Sequence, residues 1–370
     1  MTRTRALGAL LLIGLLVACS SDKPKPTPLE NYDARISVSP VWNLSLGTLS
    51  FPLVPAVRQG QLYVASDGGE VQAVQADTGA VMWTASAGDR IAAGVGSDGR
   101  FTAVVTRGNE VVVFDSGREA WRKRVPSAVV TPPLVAGERV FVMGVDRGVH
   151  AFDAVDGRRL WVYNKPGEAL TLAQASVVTA YRNTLLVAQG QRLTALDPTR
   201  GTLSWEVPMA SPRGTNEVER LADLIGPALR LGDRVCARAF QSAVACADAS
   251  RGVVLWTRDA GGQNAIGGDL ERVYGADASD RITAWRADNG DMVWQSEKLL
   301  YRGLSGALAV GTSVVFGDGE GYLHFLAAAS GEQQLRLPTD GKAIVGTPLL
   351  VGKTLIVTTQ AGGLYAFRAD

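Results

Sequence analysis

The chain has 370 residues, and its 37 basic side chains nearly cancel its 36 acidic ones, leaving a formal net charge of +1. That length exceeds what one hydrophobic core usually serves, so two domains or a repeat architecture is required. The charges are interspersed, and the one short basic cluster, Arg122-Lys123-Arg124, reads as a solvated strand end. The basic stripe that phosphate binding demands is missing, so nucleic acid is not an expected partner.

The N-terminus sets the expected compartment. Arg3 and Arg5 precede an unbroken apolar stretch from Ala6 to Val17. This is too short for a permanent membrane span, which takes about 20 apolar residues, and fits the apolar core of a secretory signal peptide. It ends in Leu16-Val17-Ala18-Cys19, which is similar to the cleavage box of bacterial lipoproteins. The resemblance implies that residues 1–18 are removed, that Cys19 is lipidated, and that Ser20 directs sorting to the outer membrane. Residues 19–37 then include Lys23-Pro24-Lys25-Pro26-Thr27-Pro28, and this composition predicts an extended tether outside the fold.

From residue 38 to 370 the sequence repeats. Trp42, Trp83, Trp121, Trp161, Trp205, Trp256 and Trp294 are separated by 38 to 51 residues, and a further step of 41 reaches Leu335. Four residues before each of the last seven positions stands a glycine: Gly79, Gly117, Gly157, Gly201, Gly252, Gly290 and Gly331. Within one unit, Ser127–Val135, Arg139–Met143, Val149–Asp153 and Arg158–Tyr163 read as four short strands separated by turn residues. Four antiparallel strands per ~40 residues is the pattern of a propeller blade. Apolar residues recur at a period near two, which excludes a helical solenoid. The tryptophans are expected to pack between blades. The C-terminal stretch Gly363–Asp370 reads as the third strand of a blade that lacks its fourth, whereas Val41–Leu44 has a tryptophan and no blade before it. Joining the two gives an all-β, eight-bladed β-propeller closed by its own termini, which should remove exposed sheet edges.

Two connections break the period. From each tryptophan position to the next inner hairpin turn, six of eight intervals are 14 to 17 residues, whereas those after Trp161 and Trp205 are 20 and 27. Both join the outer strand of one blade to the inner strand of the next, so they should lie side by side on one face. Leu170, Leu172 and Leu221 beside Arg220 and Asp223 suit a protein-binding surface with apolar anchors in a polar rim. The same leucines equally suit packing beneath their own loops.

At these residues the sequence resembles the BamB family of outer-membrane protein assembly factors. The resemblance rests on the lipoprotein box, the eight units, Leu193-Thr194-Ala195-Leu196-Asp197, Gly321-Tyr322-Leu323-His324, and the run Pro212-Arg213-Gly214…Glu217…Arg220-Leu221…Asp223. It covers the whole mature chain and implies a non-enzymatic lipoprotein of the β-barrel assembly (BAM) complex. Its partners would be the periplasmic POTRA domains of BamA and outer-membrane protein clients, and it would sit at the periplasmic face of the outer membrane. It also implies that Leu170, Leu172, Arg220, Leu221 and Asp223 make the contact. Two positions depart from the family's usual charged residues, Ala173 and Ile225, and these predict a more apolar contact.

The competing class is a pyrroloquinoline-quinone dehydrogenase, whose blades share this pattern. The chain offers no adjacent cysteines, no inner-strand carboxylate cluster for a hard cation, no phosphate loop and no nucleophile elbow. No cofactor or metal is therefore expected. His150 and His324 fall at equivalent strand positions, too far apart for a zinc site, and read as surface or packing residues. Cys236 and Cys246 flank a hairpin centred on Gln241. They read either as a cross-strand disulfide, suited to an oxidising compartment, or as two small buried thiols.

Overall fold

From residue 38 onward, short β-rich runs alternate with Gly, Asp and Asn turns, a pattern that favours strands over helices. The computed structural model describes residues 24–47, 49, 54–165, 171–211 and 214–369, and here thirty-two strands form eight four-stranded antiparallel sheets. These are the blades of an eight-bladed propeller. Blade 3 shows the plan, with strands Leu134–Ala136, Arg139–Met143, Val149–Asp153 and Arg159–Tyr163 running from axis to rim, and Phe141, Ala151 and Trp161 in one cross-strand row. Its inner strand is shorter than the expected Ser127–Val135, because Pro132 and Pro133 have no N–H for a ladder. The two middle strands are buried almost throughout, since a neighbouring blade covers each face. This accounts for the continuous apolar runs there.

The Gly…Trp spacing has a packing cause beyond the turn. Trp121 is buried and its indole N–H donates to the Ala154 carbonyl of the next blade at 2.8 Å. Gly157, at φ +70°, lies against the face of that indole, and a Cβ there would fall 2.5 Å from Trp121 Cδ2. The contact recurs at all seven glycines, each meeting the tryptophan of the preceding blade within 2.9 Å of a hypothetical Cβ. The blades are thus joined by an indole seated on a side-chain-free turn.

The ring closes as the termini predict. Val38–Ser45 pairs antiparallel with Gly363–Ala369, with Trp42 opposite Ala366, and becomes the outer strand of blade 8. Trp42 then donates to the Ala76 carbonyl of blade 1 at 2.9 Å, so the repeat runs through the seam. Leu335 takes the eighth indole position, packed with Phe367, Leu355 and Val38.

Closure does not remove the sheet edges, contrary to expectation: each blade's fourth strand ends its sheet at the rim. One of these edges is partly covered by the segment expected to lie outside the fold. Residues 24–37 are extended, but they dock. Thr27 donates to the Leu300 carbonyl at 3.0 Å and accepts from Arg302 Nη1 at 3.0 Å. Leu29 packs against the core shared by blades 6 and 7. Farther along, Arg336 lies over the Tyr32 ring, and Arg35 N–H donates to Gln334 O at 2.9 Å, along the outer strand of blade 7. Counting prolines and charges missed this strap, because most of its docking groups are backbone.

Candidate protein-docking surface

The fourth-to-first strand connections and the second-to-third strand turns of a propeller share one face. Both long connections lie there, between Tyr163 and Val178 and between Pro208 and Leu224. The second is built around a self-capped turn. Glu219 accepts from Thr215 N–H (2.8 Å) and its hydroxyl (3.1 Å), Asn216 Oδ1 accepts from Glu219 N–H at 2.9 Å, and Arg220 N–H donates to Asn216 O at 3.2 Å. These bonds hold Glu219 below the usual carboxylate range, chiefly through the Thr215 N–H. The turn presents Glu217, Val218 and Arg220 to solvent, with Val218 72% exposed.

Asp223 fastens the two connections together. One carboxylate oxygen accepts from Arg147 Nη2 at 3.0 Å and the other from the Leu172 N–H at 3.0 Å. Beside it, Ser176 forms a β-bridge to Ile225, its hydroxyl donates to Leu224 O at 2.7 Å, and Gly226 N–H donates to Ala175 O at 2.9 Å. Gly226 permits this approach: a Cβ would lie 2.1 Å from the Ser176 carbonyl oxygen. At the base, burial pushes the Glu206 carboxyl up, but hydrogen bonds from Lys165, Arg192 and Thr194 outweigh it and keep the group below its ordinary range. Lys165 begins the first connection, so that loop is tied at both ends.

The expected site residues separate into different roles. Arg220 is exposed and Leu221 and Leu172 are half-buried, all on this patch. Leu170 lies outside the described residues, as does Cys19. Asp223 is half-buried and spends both oxygens inside the molecule, so its place is to organise the patch. Ala173 is exposed, whereas Ile225 is only 2% exposed and cannot enlarge an apolar contact as expected. Arg147, in the second-to-third strand turn of blade 3, was not foreseen, since 76 residues separate it from its partner.

Two hollows flank the patch. One, of about 280 Å³, lies between the second connection and the Phe240–Ser242 hairpin, walled by Val218, Leu221, Ala222 and Phe240. The other, of about 370 Å³, opens on the ring axis and is lined partly by Gln174 and Ala175 of the first connection and by Ile225 and Pro227 of the inner strand of blade 5. Gln174 also reaches across to donate to Gln263 O at 2.7 Å, bracing the first connection against the one between blades 5 and 6.

The remaining chemistry-bearing residues serve the scaffold. His150 and His324 are buried, which corrects the surface alternative, and His324 Nε2 lies 2.9 Å from Asp318 Oδ2. Among the described residues no group of three or more His, Cys, Asp or Glu could hold a metal ion. Cys236 and Cys246 stand opposite each other in neighbouring strands of blade 5 and are joined as a disulfide, with Cα atoms 4.0 Å apart.

The ring of eight four-stranded blades makes this an eight-bladed β-propeller, a fold similar to that of a quinohemoprotein dehydrogenase. The quinohemoprotein alcohol dehydrogenase of Comamonas testosteroni superposes with a TM-score of 0.68 at 16% identity, over 90% of this chain and 76% of the enzyme. The crystal structure of BamB from Moraxella catarrhalis superposes with a TM-score of 0.81 at 22% identity, over 90% of this chain and all of that one. A family model described as outer membrane protein assembly factor BamB matches residues 38–91 and 67–296. Curated proteins of that name from Burkholderia pseudomallei and Bordetella pertussis are 34% and 35% identical, over 98% of this chain and 97% of each relative. The chain belongs to the BamB family of outer membrane protein assembly factors.

Proposed function

We propose that this chain is a non-catalytic, lipid-anchored scaffold subunit of the outer-membrane β-barrel assembly complex, on the periplasmic face of the outer membrane. It docks the POTRA domains of BamA through the paired connections and so aids insertion of outer-membrane protein clients. The observation that carries this reading is the Asp223 clasp, which makes two loops from different blade junctions into one rigid patch. A preorganised patch saves the ordering cost that a flexible loop meets on binding. Arg220 supplies an exposed charge at its rim, with Leu172 and Leu221 as apolar anchors. The Cys236–Cys246 disulfide supports an oxidising compartment, and family membership supports the role in assembly.

The test is the affinity of purified BamA POTRA domains for the full-length protein. Leu172→Glu and Arg220→Glu should each weaken binding about tenfold, or roughly 1.4 kcal/mol. Asp223→Arg should do so indirectly, by releasing Leu172 and Arg147. Unchanged affinity in all three variants would remove the patch from the reading. The dehydrogenase alternative is checked by incubating the protein with pyrroloquinoline quinone and calcium, and no retained chromophore is expected.

A further inference from the structure

The strap fixes where the lipid-bearing end leaves the propeller. The outer strand of blade 8 begins at Val38 on the face opposite the two long connections, since fourth strands run from the Gly…Trp turns toward the connection face. A free tether from Cys19 to Val38 would span at most about 63–68 Å, enough to leave either face toward a bilayer. Residues 27–36 instead run back along blade 7, and Thr27 is gripped at the blade 6–7 connection, on the same face as the docking patch. The grip is substantial. Arg302 is 4% exposed, is held by Asp318 at 2.8 Å and by Glu320, and gives its remaining terminal nitrogen to the Thr27 carbonyl. Undocking would break this charge-assisted hydrogen bond, which is stronger than one between neutral groups.

We propose that the docked strap turns the patch-bearing face toward the membrane, by shortening the anchor to the stretch between Cys19 and Thr27 and releasing it from that face. Eight residues reach at most about 26–29 Å, so the blade 6–7 side of that face stays close to the lipid headgroups. The proposal rests on the reading that Cys19 carries the lipid, and adds an orientation to it. A partner docked on the patch would then lie between the propeller and the bilayer.

The test places a donor dye at Val218→Cys, on the patch face, or at Val155→Cys, in a Gly…Trp turn on the opposite face. Both positions are well exposed, at 72% and 58%. The lipidated full-length protein is bound to phosphatidylethanolamine–phosphatidylglycerol vesicles carrying a headgroup acceptor, and energy transfer is measured. Transfer at 218 should exceed that at 155 at least twofold, and Thr27→Pro with Leu29→Asp should erase the difference while vesicle binding persists. Equal transfer at both positions in the otherwise native protein, with full vesicle binding, overturns the orientation alone. Persistence of the difference in the strap variant overturns the role of the strap. Failure to bind vesicles overturns the lipid anchor and the orientation with it. The native comparison is decisive even if the strap variant is unstable.

Discussion

At Gly157 two demands meet on one residue. Its φ of +70° disfavours any side chain, and the Trp121 indole fills the space a Cβ would need. Gly157→Ala should therefore cost about 2–4 kcal/mol, from left-handed strain plus overpacking. Trp121→Ala should cost about 3–5 kcal/mol. Both are read as shifts in urea midpoint at unchanged m. A subtler prediction concerns Leu335. The last two strands of blade 8, Gly363–Ala369 and Val38–Ser45, are not consecutive in sequence and share no Gly turn, so no such seat awaits an indole. Leu335→Trp, although it restores the repeat, should lower stability by about 1–3 kcal/mol in the same assay. The tryptophans and glycines were legible in the sequence because they recur at a fixed offset of four residues from unit to unit. Asp223 was legible as a member of the patch but not as its clasp, since its partners are a backbone N–H and an arginine far off in sequence.

Among elements, the inserted connections were found by counting, and the fold sets them beside each other because both bridge consecutive blades on one face. The strap was read as tether because composition reports how much apolar surface a segment can bury, not where its main-chain groups find partners. The third strands of blades 3 and 7 carry a pH consequence that spacing alone did not show. Burial pulls the pKa of both His150 and His324 down, and for His324 this outweighs the nearby Asp318. The unfolded chain takes up protons below about pH 6.5 that the folded chain refuses, so stability falls as pH drops through that value. Asp318 acts in the same direction at lower pH. Burial raises its carboxyl, but the His324 contact and the Tyr322 N–H outweigh this and hold it low. Melting temperature should thus decline from pH 7.5 to 5.5, and the double variant His150→Gln/His324→Gln should remove most of that decline. A wild-type melt flat across this range would contradict the assignment.

At the scale of the whole molecule, eight units and a seam made from both termini followed from the spacing of tryptophans and the incomplete last repeat. What spacing could not supply was the open rim, because a repeat count says how blades succeed one another and nothing about their outer strands. The seam predicts unequal tolerance to chain breaks. Deleting Val38–Ser45 removes one strand of blade 8 and the Trp42 contact to blade 1, so calorimetry should show a melt lowered by many degrees or lost. A protease cut within 214–218, in contrast, should leave the melt nearly unchanged, since the blades on either side stay whole.

A ring fastened by its first and last strands also has an order of assembly imposed on it. During synthesis the strand at Val38 emerges among the earliest folded parts and must wait, unmated on one side, until the stretch ending at Ala369 has followed. Until then the nascent body is an open arc with raw ends, the state most prone to mispairing. Any product cut short near its C-terminus stays in that state, so full-length delivery, rather than the folding of any single blade, is the step that commits the molecule.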